Sequence, residues 1–237
     1  MITFEGKNVL VLGGSRGIGA AIVRRFAADG ANVTFTYAGS REAAERLAED
    51  TGTTAVHTDS GDRDAVIARV RDTGPLDVLV VNSGFAVYGD AVDQDPDEVD
   101  RLFRVNVHAP YHASVEAART MPKGGRIIVI GSVNGDRMPL PGMAAYALSK
   151  SALQGMARGL SRDFGPRGIT INIVQPGPID TDANPADGPM KDLMHSFMAI
   201  KRHGRPEEVA GMVSWLAGPE AGFVTGAMHT IDGAFGA

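Results

Sequence analysis

Val9 to Phe26 reads VLVLGGSRGIGAAIVRRF. An apolar run ends at Leu12, glycines follow at Gly13, Gly17 and Gly19, and an amphipathic helical pattern then begins. The stretch is a strand, a tight turn and a helix. Glycines at this spacing let the main chain turn sharply and approach a pyrophosphate closely. The helix start adds unpaired N–H groups and the positive end of its dipole. A glycine pattern alone is weak; in this strand–turn–helix context it is strong. Gly13, Ser15, Arg16, Gly17, Ile18 and Gly19 are therefore candidate cofactor-binding residues.

Working outward, short and nearly continuous apolar runs recur at Asn32–Tyr37, Ala55–Thr58, Asp77–Val81, Arg126–Ile130, Thr170–Val174 and Met228–Ile231. With Asn8–Leu12 they predict about seven strands buried on both faces, as in a parallel sheet. Helical patterns fall between them at Ile18–Asp29, Arg41–Asp50, Asp62–Asp72, Pro96–Met121, Ala144–Phe164 and Pro206–Ala217. This alternation predicts a doubly wound α/β sheet with helices on both faces. No linker, repeat or low-complexity tract interrupts it, so one domain over 1–237 is expected. Asp180–Arg205 breaks the rhythm. It holds a predicted short helix, Met190–Ile200, whose apolar side is Met190, Leu193, Met194, Phe197 and Met198, and it is expected to form a lid over a strand's carboxyl end.

Composition narrows the function. The chain has 237 residues, 43% hydrophobic and 22% charged, which suits a globular protein with a sizeable core. A net charge of −5 argues against a nucleic-acid polymer as partner. There is no cysteine, which removes disulfides and thiolate metal sites and fits a reducing, cytoplasmic setting. The opening MITFEGKNVLVLGG lacks the pattern of a signal peptide. No apolar run approaches about 18 residues, so no membrane span is expected. His108 and His112 have no acidic partner nearby to complete a ligand set, and no metal is expected.

The second strand indicates which dinucleotide is preferred. It ends Phe35-Thr36-Tyr37-Ala38-Gly39-Ser40-Arg41, without the carboxylate that would bind a ribose 2′-hydroxyl. Arg16 and Arg41 would instead attract a 2′-phosphate. Tyr37, Ser40 and Arg41 join the cofactor candidates, and NADP(H) is expected over NAD(H). Asp59-Ser60 follows the third strand; it either holds an adenine edge or caps the helix Asp62–Asp72. Asn82-Ser83-Gly84 ends the fourth strand, where small residues let a cofactor lie against the main chain.

Ser132 lies just past the strand Arg126–Ile130, at the sheet end where open α/β folds bind ligands. Tyr146 and Lys150 follow in YALSK, one turn apart on a helix. Moving a hydride between a nicotinamide and a carbonyl also requires a proton for the alkoxide. An ammonium beside a phenol is expected to lower its pKa from about 10. Ser132 is expected to hold the substrate oxygen. Pro110 in Arg104-Val105-Asn106-Val107-His108-Ala109-Pro110 cannot donate to the Asn106 carbonyl, so a kink or a trapped water is expected there, linking Lys150 to solvent. His195 and His203 are expected at surface positions within the lid, and Trp215 in the core.

These motifs resemble the short-chain dehydrogenase/reductase family across essentially the whole chain: GGSRGIG, NSG, Asn106, Ser132, YALSK, QPGPIDT at Gln175–Thr181, and TIDG near the end. The resemblance implies a Rossmann-like fold and a catalytic tetrad of Asn106, Ser132, Tyr146 and Lys150. It also implies Pro176, Gly177 and Ile179 to Thr181 bordering the nicotinamide, a small carbonyl or alcohol substrate, and a homodimer or homotetramer. Leu12 replaces the threonine usual at the start of the glycine motif, and Val81 the first asparagine of the family's NNAG pattern. Ser132 and Tyr146 are also one residue further apart than expected. GSVNGDRMPLPGMAAYALSK, DTDANPADGPM and HSFMAIKRHG carry a closer likeness to a cyclic-di-GMP-binding bacterial branch. It implies an alternative role, binding that signalling dinucleotide in biofilm dispersal. Arg137, Lys191, Lys201, Arg202 and Arg205 would then be either phosphate contacts or solvated surface.

Overall fold

Strand β1 (Asn8–Leu12) sends Val9 and Val11 into one core and Leu10 and Leu12 into another. That two-sided burial is why the strands read as unbroken apolar runs. The computed structural model describes residues 3–237; Met1 and Ile2, the first residues of the stretch read for a signal peptide, lie outside the described residues. The other strands are β2 (Asn32–Tyr37), β3 (Thr54–His57), β4 (Val78–Val81), β5 (Arg126–Ile130), β6 (Thr170–Pro176) and β7 (Met228–Ile231). They form one seven-stranded sheet in the order β3-β2-β1-β4-β5-β6-β7, and every neighbouring pair is parallel. Central strands β4, β5 and β6 are buried throughout, while β3 and β7 at the edges are partly exposed.

Helices α1 (Gly17–Ala28), α2 (Arg41–Thr51) and α8 (Pro206–Ala217) cover one face of the sheet. Helices α3 (Arg63–Thr73), α5 (Ala109–Thr120) and α6 (Ala144–Phe164) cover the other. This is a doubly wound, Rossmann-like α/β fold. The strand order reverses between β1 and β4, which opens a crevice at their carboxyl ends. The glycine turn after β1 and Asn82-Ser83-Gly84 after β4 flank that crevice.

The structure corrects several expectations. The helix expected over Pro96–Met121 is α4 (Pro96–Phe103), a π-helical turn at Arg104–His108, then α5. Pro110 has no N–H for the regular ladder, and the chain passes it in a wider turn in which Ala109 N–H donates to the Arg104 carbonyl. Asp62, rather than Asp59 or Ser60, caps α3, accepting from the N–H groups of Asp64 and Ala65 at 2.9 and 3.0 Å. Helix α7 spans only Lys191–Phe197, because Met198 turns extended and enters a small core with Val133 and Phe235. Met190 and Leu193, expected on that helix's packed side, are exposed. Trp215 is 38% exposed rather than core: Val213 and Leu216 take the inward face of α8 and Trp215 points away. His203 is 5% exposed rather than at the surface.

Candidate active site

The glycine turn is built for close approach. Gly13 and Gly17 take positive φ values of 80° and 52°. A side chain on Gly19 would stand 2.1 Å from the Gly13 carbonyl oxygen, so the start of α1 is pressed against the turn. Asn82 Nδ2 donates to that same carbonyl at 2.7 Å, tying β4's end to the turn. No side chain caps α1, and its first turn has no acidic residue. Its first N–H groups are thus free for an anion, which is the fit a dinucleotide pyrophosphate requires. Thr181 packs over the turn, with its Cγ2 3.0 Å from the position a Gly17 Cβ would take.

The two departures in the motifs have one physical account. Leu12 and Val81 are register partners on β1 and β4. Both are buried in the same core. One polar pair expected from the resemblance is replaced by one apolar pair. The Leu12 carbonyl still accepts the N–H groups of Asn82 and Ser83 at 2.9 Å each.

The candidate reactive residues converge on the carboxyl ends of β4 and β5. The Tyr146 hydroxyl lies beside the Ser132 side chain, near enough for the serine to act on its proton affinity. A single 3-10 turn at Val133–Gly135 begins the loop between them. Ser132 is held from behind: its Oγ accepts the Asn134 N–H at 3.1 Å, and its carbonyl accepts from Gln175 Nε2 at 3.2 Å. Lys150 donates to the Ile130 carbonyl at 3.1 Å, and its Nζ faces the Tyr146 ring, 5.8 Å from the centroid. A Cβ on Gly84 would lie 3.2 Å from Lys150 Nζ and 3.3 Å from Asn106 Oδ1, so these groups crowd one glycine.

Asn106 is fully buried and its side chain is occupied. Its Oδ1 accepts the Phe85 N–H at 3.1 Å, and its Nδ2 donates to the Phe85 carbonyl and to Ser149 Oγ at 2.9 and 3.1 Å. Ser149 Oγ in turn donates to the Tyr146 carbonyl at 2.7 Å. Sequence reasoning missed Ser149 and Gln175, whose roles depend on contacts across 43 residues in each case. Their only signal was membership of YALSK and QPGPIDT.

Burial raises the Tyr146 pKa above its usual value; neighbouring Ser132 opposes this, and Tyr88 adds to it. The expectation that Lys150 would lower this pKa is corrected. The lysine is itself desolvated and faces the ring, and burial of the hydroxyl dominates.

Lys150, 5% exposed, is held at a pKa of about 8 by burial. An unfolded lysine keeps its proton to about 10.4. Between those values the unfolded chain binds more protons, so stability rises with pH there. Tyr146 acts in the opposite sense only above about pH 10, where the unfolded phenol ionises first. Lys150 is thus expected to add on the order of 2 kcal/mol to the unfolding free energy between about pH 8 and about pH 9.5. Urea unfolding at both pH values, compared with Lys150→Met, checks this; an identical pH response in the two proteins would contradict it.

The remaining candidates spread around the crevice. Tyr37 is buried with its ring 5.6 Å from His57, edge to face, which leaves Arg16 and Arg41 as the exposed basic groups near β2's end. Asp59 accepts from the Gly61 N–H at 2.8 Å and pairs with Arg101 at 3.4 Å. Ser60 Oγ donates to Ser83 Oγ at 2.8 Å, joining the ends of β3 and β4. Ser40 precedes α2 without capping it through its side chain. Gly177 lies against Asp232, 2.6 Å from Asp232 Cβ to a Cβ placed on the glycine; Pro176 ends β6, and Ile179 is buried.

Asp180–Arg205 leaves and rejoins the fold through a closed neck. The Asp180 N–H donates to the Gly204 carbonyl and the Gly204 N–H to the Pro178 carbonyl, both at 2.9 Å. His195 Nε2 and His203 Nδ1 lie 2.9 Å apart, joining α7 to the returning chain. Burial, then nearby His195, pushes the His203 pKa down. Most of the basic residues read as phosphate contacts or surface have internal acceptors. Arg202 pairs with Glu208 through both terminal nitrogens, Lys201 donates to the His195 carbonyl, and Arg137 donates to the carbonyls of Phe235 and Ala237.

A doubly wound sheet with a dinucleotide-type turn and a Ser–Tyr–Lys cluster at the strand ends defines the class of nucleotide-dependent dehydrogenases and reductases. A family model described as Enoyl-(Acyl carrier protein) reductase matches residues 13–235. The chain belongs to the short-chain dehydrogenase/reductase family. It is 77% identical, over 100% of both chains, to the Cyclic-di-GMP-binding biofilm dispersal mediator protein of Escherichia coli K12. A crystal structure of BdcA in complex with NADPH superposes with a TM-score of 0.98 at 78% identity, covering 99% of this chain and 96% of that one. A short-chain dehydrogenase/reductase from Serratia marcescens gives 0.97 at 49% identity, covering 99% of each. Among the described residues, no helix is long and apolar enough to cross a membrane.

Proposed function

We propose that this chain is an NADP(H)-dependent oxidoreductase that moves a hydride between a nicotinamide and a small carbonyl or alcohol substrate. The observation that carries it is the convergence of Tyr146 and Ser132, with Lys150 facing the same ring, beside an uncapped glycine turn. The bound cofactor supplies the hydride. Tyr146 stays protonated at neutral pH, because burial raises its pKa, and it gives its proton to the carbonyl oxygen. Ser132, beside the phenol, holds that oxygen. Lys150 remains mostly cationic at neutral pH and faces the crevice beside Gly84, where it is available to ribose hydroxyls. The Asn106 carbonyl, which Pro110 cannot satisfy, holds a water that links Lys150 to solvent. Asp180–Arg205 serves as a lid on a single-domain scaffold working in the cytoplasm.

The alternative, cyclic-di-GMP binding on the same scaffold, rests on the name carried by the Escherichia coli relative. Arg202 is paired with Glu208, and Arg137 and Lys201 already donate to main-chain carbonyls, so the oxidoreductase reading comes first. Calorimetric titration with NADPH, NADH and cyclic-di-GMP, followed by loss of nicotinamide absorbance with a panel of ketones, separates the two. Arg16→Ala combined with Arg41→Ala is expected to weaken NADPH by about tenfold or more while leaving NADH unchanged, the size of lost charge-assisted hydrogen bonds. Micromolar cyclic-di-GMP binding with no turnover of any ketone would overturn the oxidoreductase reading.

A further inference from the structure

Residues Asp232–Ala237 touch both the loop that carries Ser132 and the base of the Asp180–Arg205 segment. On the Ser132 side, Arg137 donates to the carbonyls of Phe235, at 3.3 Å, and Ala237. Arg137 also belongs to the Ser132–Arg137 turn, whose N–H groups at Gly135, Asp136 and Arg137 fold back onto the carbonyls of Ser132 and Val133. A side chain on Gly236 would stand 2.7 Å from Val133 Cγ2. On the lid side, the Gly233 carbonyl accepts the N–H groups of Ala199 and Ile200 at 2.9 and 3.1 Å. The Phe235 ring, 3% exposed, meets Phe197 edge to face at 5.7 Å and shares a core with Val133 and Met198.

The main chain here is strained. Ala234 has φ of 64°, the one positive φ outside glycine among the described residues. A non-glycine residue stays in that region only where its surroundings over-determine it. Asp232 provides the constraint: its carboxylate accepts the N–H groups of Ala234 and Gly236 at 2.9 and 2.7 Å.

We propose that Phe235 and Arg137 are positioning residues that couple the lid to Ser132, so that a displaced lid base displaces the serine hydroxyl. This rests on the reading of Ser132 and Tyr146 as the reactive pair. Its physical content is that one strained segment is shared by two parts of the site through the core of Val133, Met198 and Phe235.

Hydrogen exchange on the full chain tests the coupling without any substrate. Phe235→Ala is expected to speed exchange at 133–137 and at 191–200 together, by about tenfold or more, with no change at 8–28. Phe197→Ala, on the lid alone, is expected to speed exchange at 133–137 as well. With NADPH and ethyl acetoacetate as probes, Phe235→Ala is expected to lower kcat by about 10²-fold, the scale of a 1 Å misplacement, with NADPH affinity unchanged. Phe235→Leu should restore most of that loss. If Phe235→Ala does not fold, Phe235→Leu and Arg137→Ala decide by the same exchange comparison. Exchange that changes in the lid while 133–137 keeps its wild-type rate in Phe197→Ala overturns the proposal. So does a uniform change that includes 8–28. Absence of wild-type turnover on any ketone would count against the oxidoreductase reading alone, and the exchange result would still settle the coupling.

Discussion

Tyr146→Phe is expected to lower kcat for ketone reduction by about 10²–10⁴-fold while leaving the NADPH dissociation constant within a factor of about two. The substitution removes one oxygen from a ring that stays in place, so the face toward Lys150 is kept. What disappears is the proton held at the phenol and the influence of Ser132 on it. The pH profile adds a second check. Burial holds the wild-type phenol protonated through neutral pH, so reduction is expected to persist until the phenol ionises, above its ordinary value near about 10. Stopped-flow absorbance with saturating NADPH separates the chemical step from binding. Unchanged kcat in Tyr146→Phe would remove Tyr146 as the proton donor.

Gly19→Ala is expected to abolish NADPH binding at millimolar concentration and to destabilise the fold by about 1–3 kcal/mol, the usual cost of overpacking a tight site. The added methyl would sit 2.1 Å from the Gly13 carbonyl oxygen and 2.7 Å from Asn82 Nδ2. The first is main chain of the turn itself, and the second is a side-chain amide already held on that same carbonyl at 2.7 Å. Relief would need α1 to retreat from β1, and α1 packs closely against the sheet through Ile22, Val23 and Phe26. Gly155→Ala, where nothing lies within 4 Å, serves as the control and should bind NADPH normally. Calorimetry and urea unfolding of the two variants check both parts. Retained tight binding in Gly19→Ala would mean the cofactor does not lie on this turn.

Much of the site was legible because its parts are local. The glycine turn is contained in seven consecutive residues, and Tyr146 and Lys150 share a helix face by spacing alone. The inner strands announced themselves through two-sided burial, and the edge strands β3 and β7 through their place in the alternation. The misplaced features share a different cause. Trp215 and His203 are single residues whose burial depends on which way a helix or a returning loop is turned, and an apolar or ionisable type does not specify that. The short helix α7 stops at Phe197 because Met198 is taken by a core assembled from Val133 and Phe235, well separated along the chain. The Tyr146 pKa was misjudged for the same reason. Proximity in sequence suggested a lysine effect, while the deciding quantity was desolvation.

Local order therefore carried the fold, the glycine turn and the choice of candidate reactive side chains, because secondary structure, turn chemistry and helix-face neighbours are set by residues a few positions apart. Tertiary packing alone decided the electrostatics and the support of the site: the Gln175 and Ser149 bonds behind the reactive residues, the Leu12–Val81 pairing, the proton affinities of Tyr146 and Lys150, and the shared Asp232–Ala237 segment. These depend on distance and solvent exclusion between segments far apart in the chain, and no short-range pattern encodes either one.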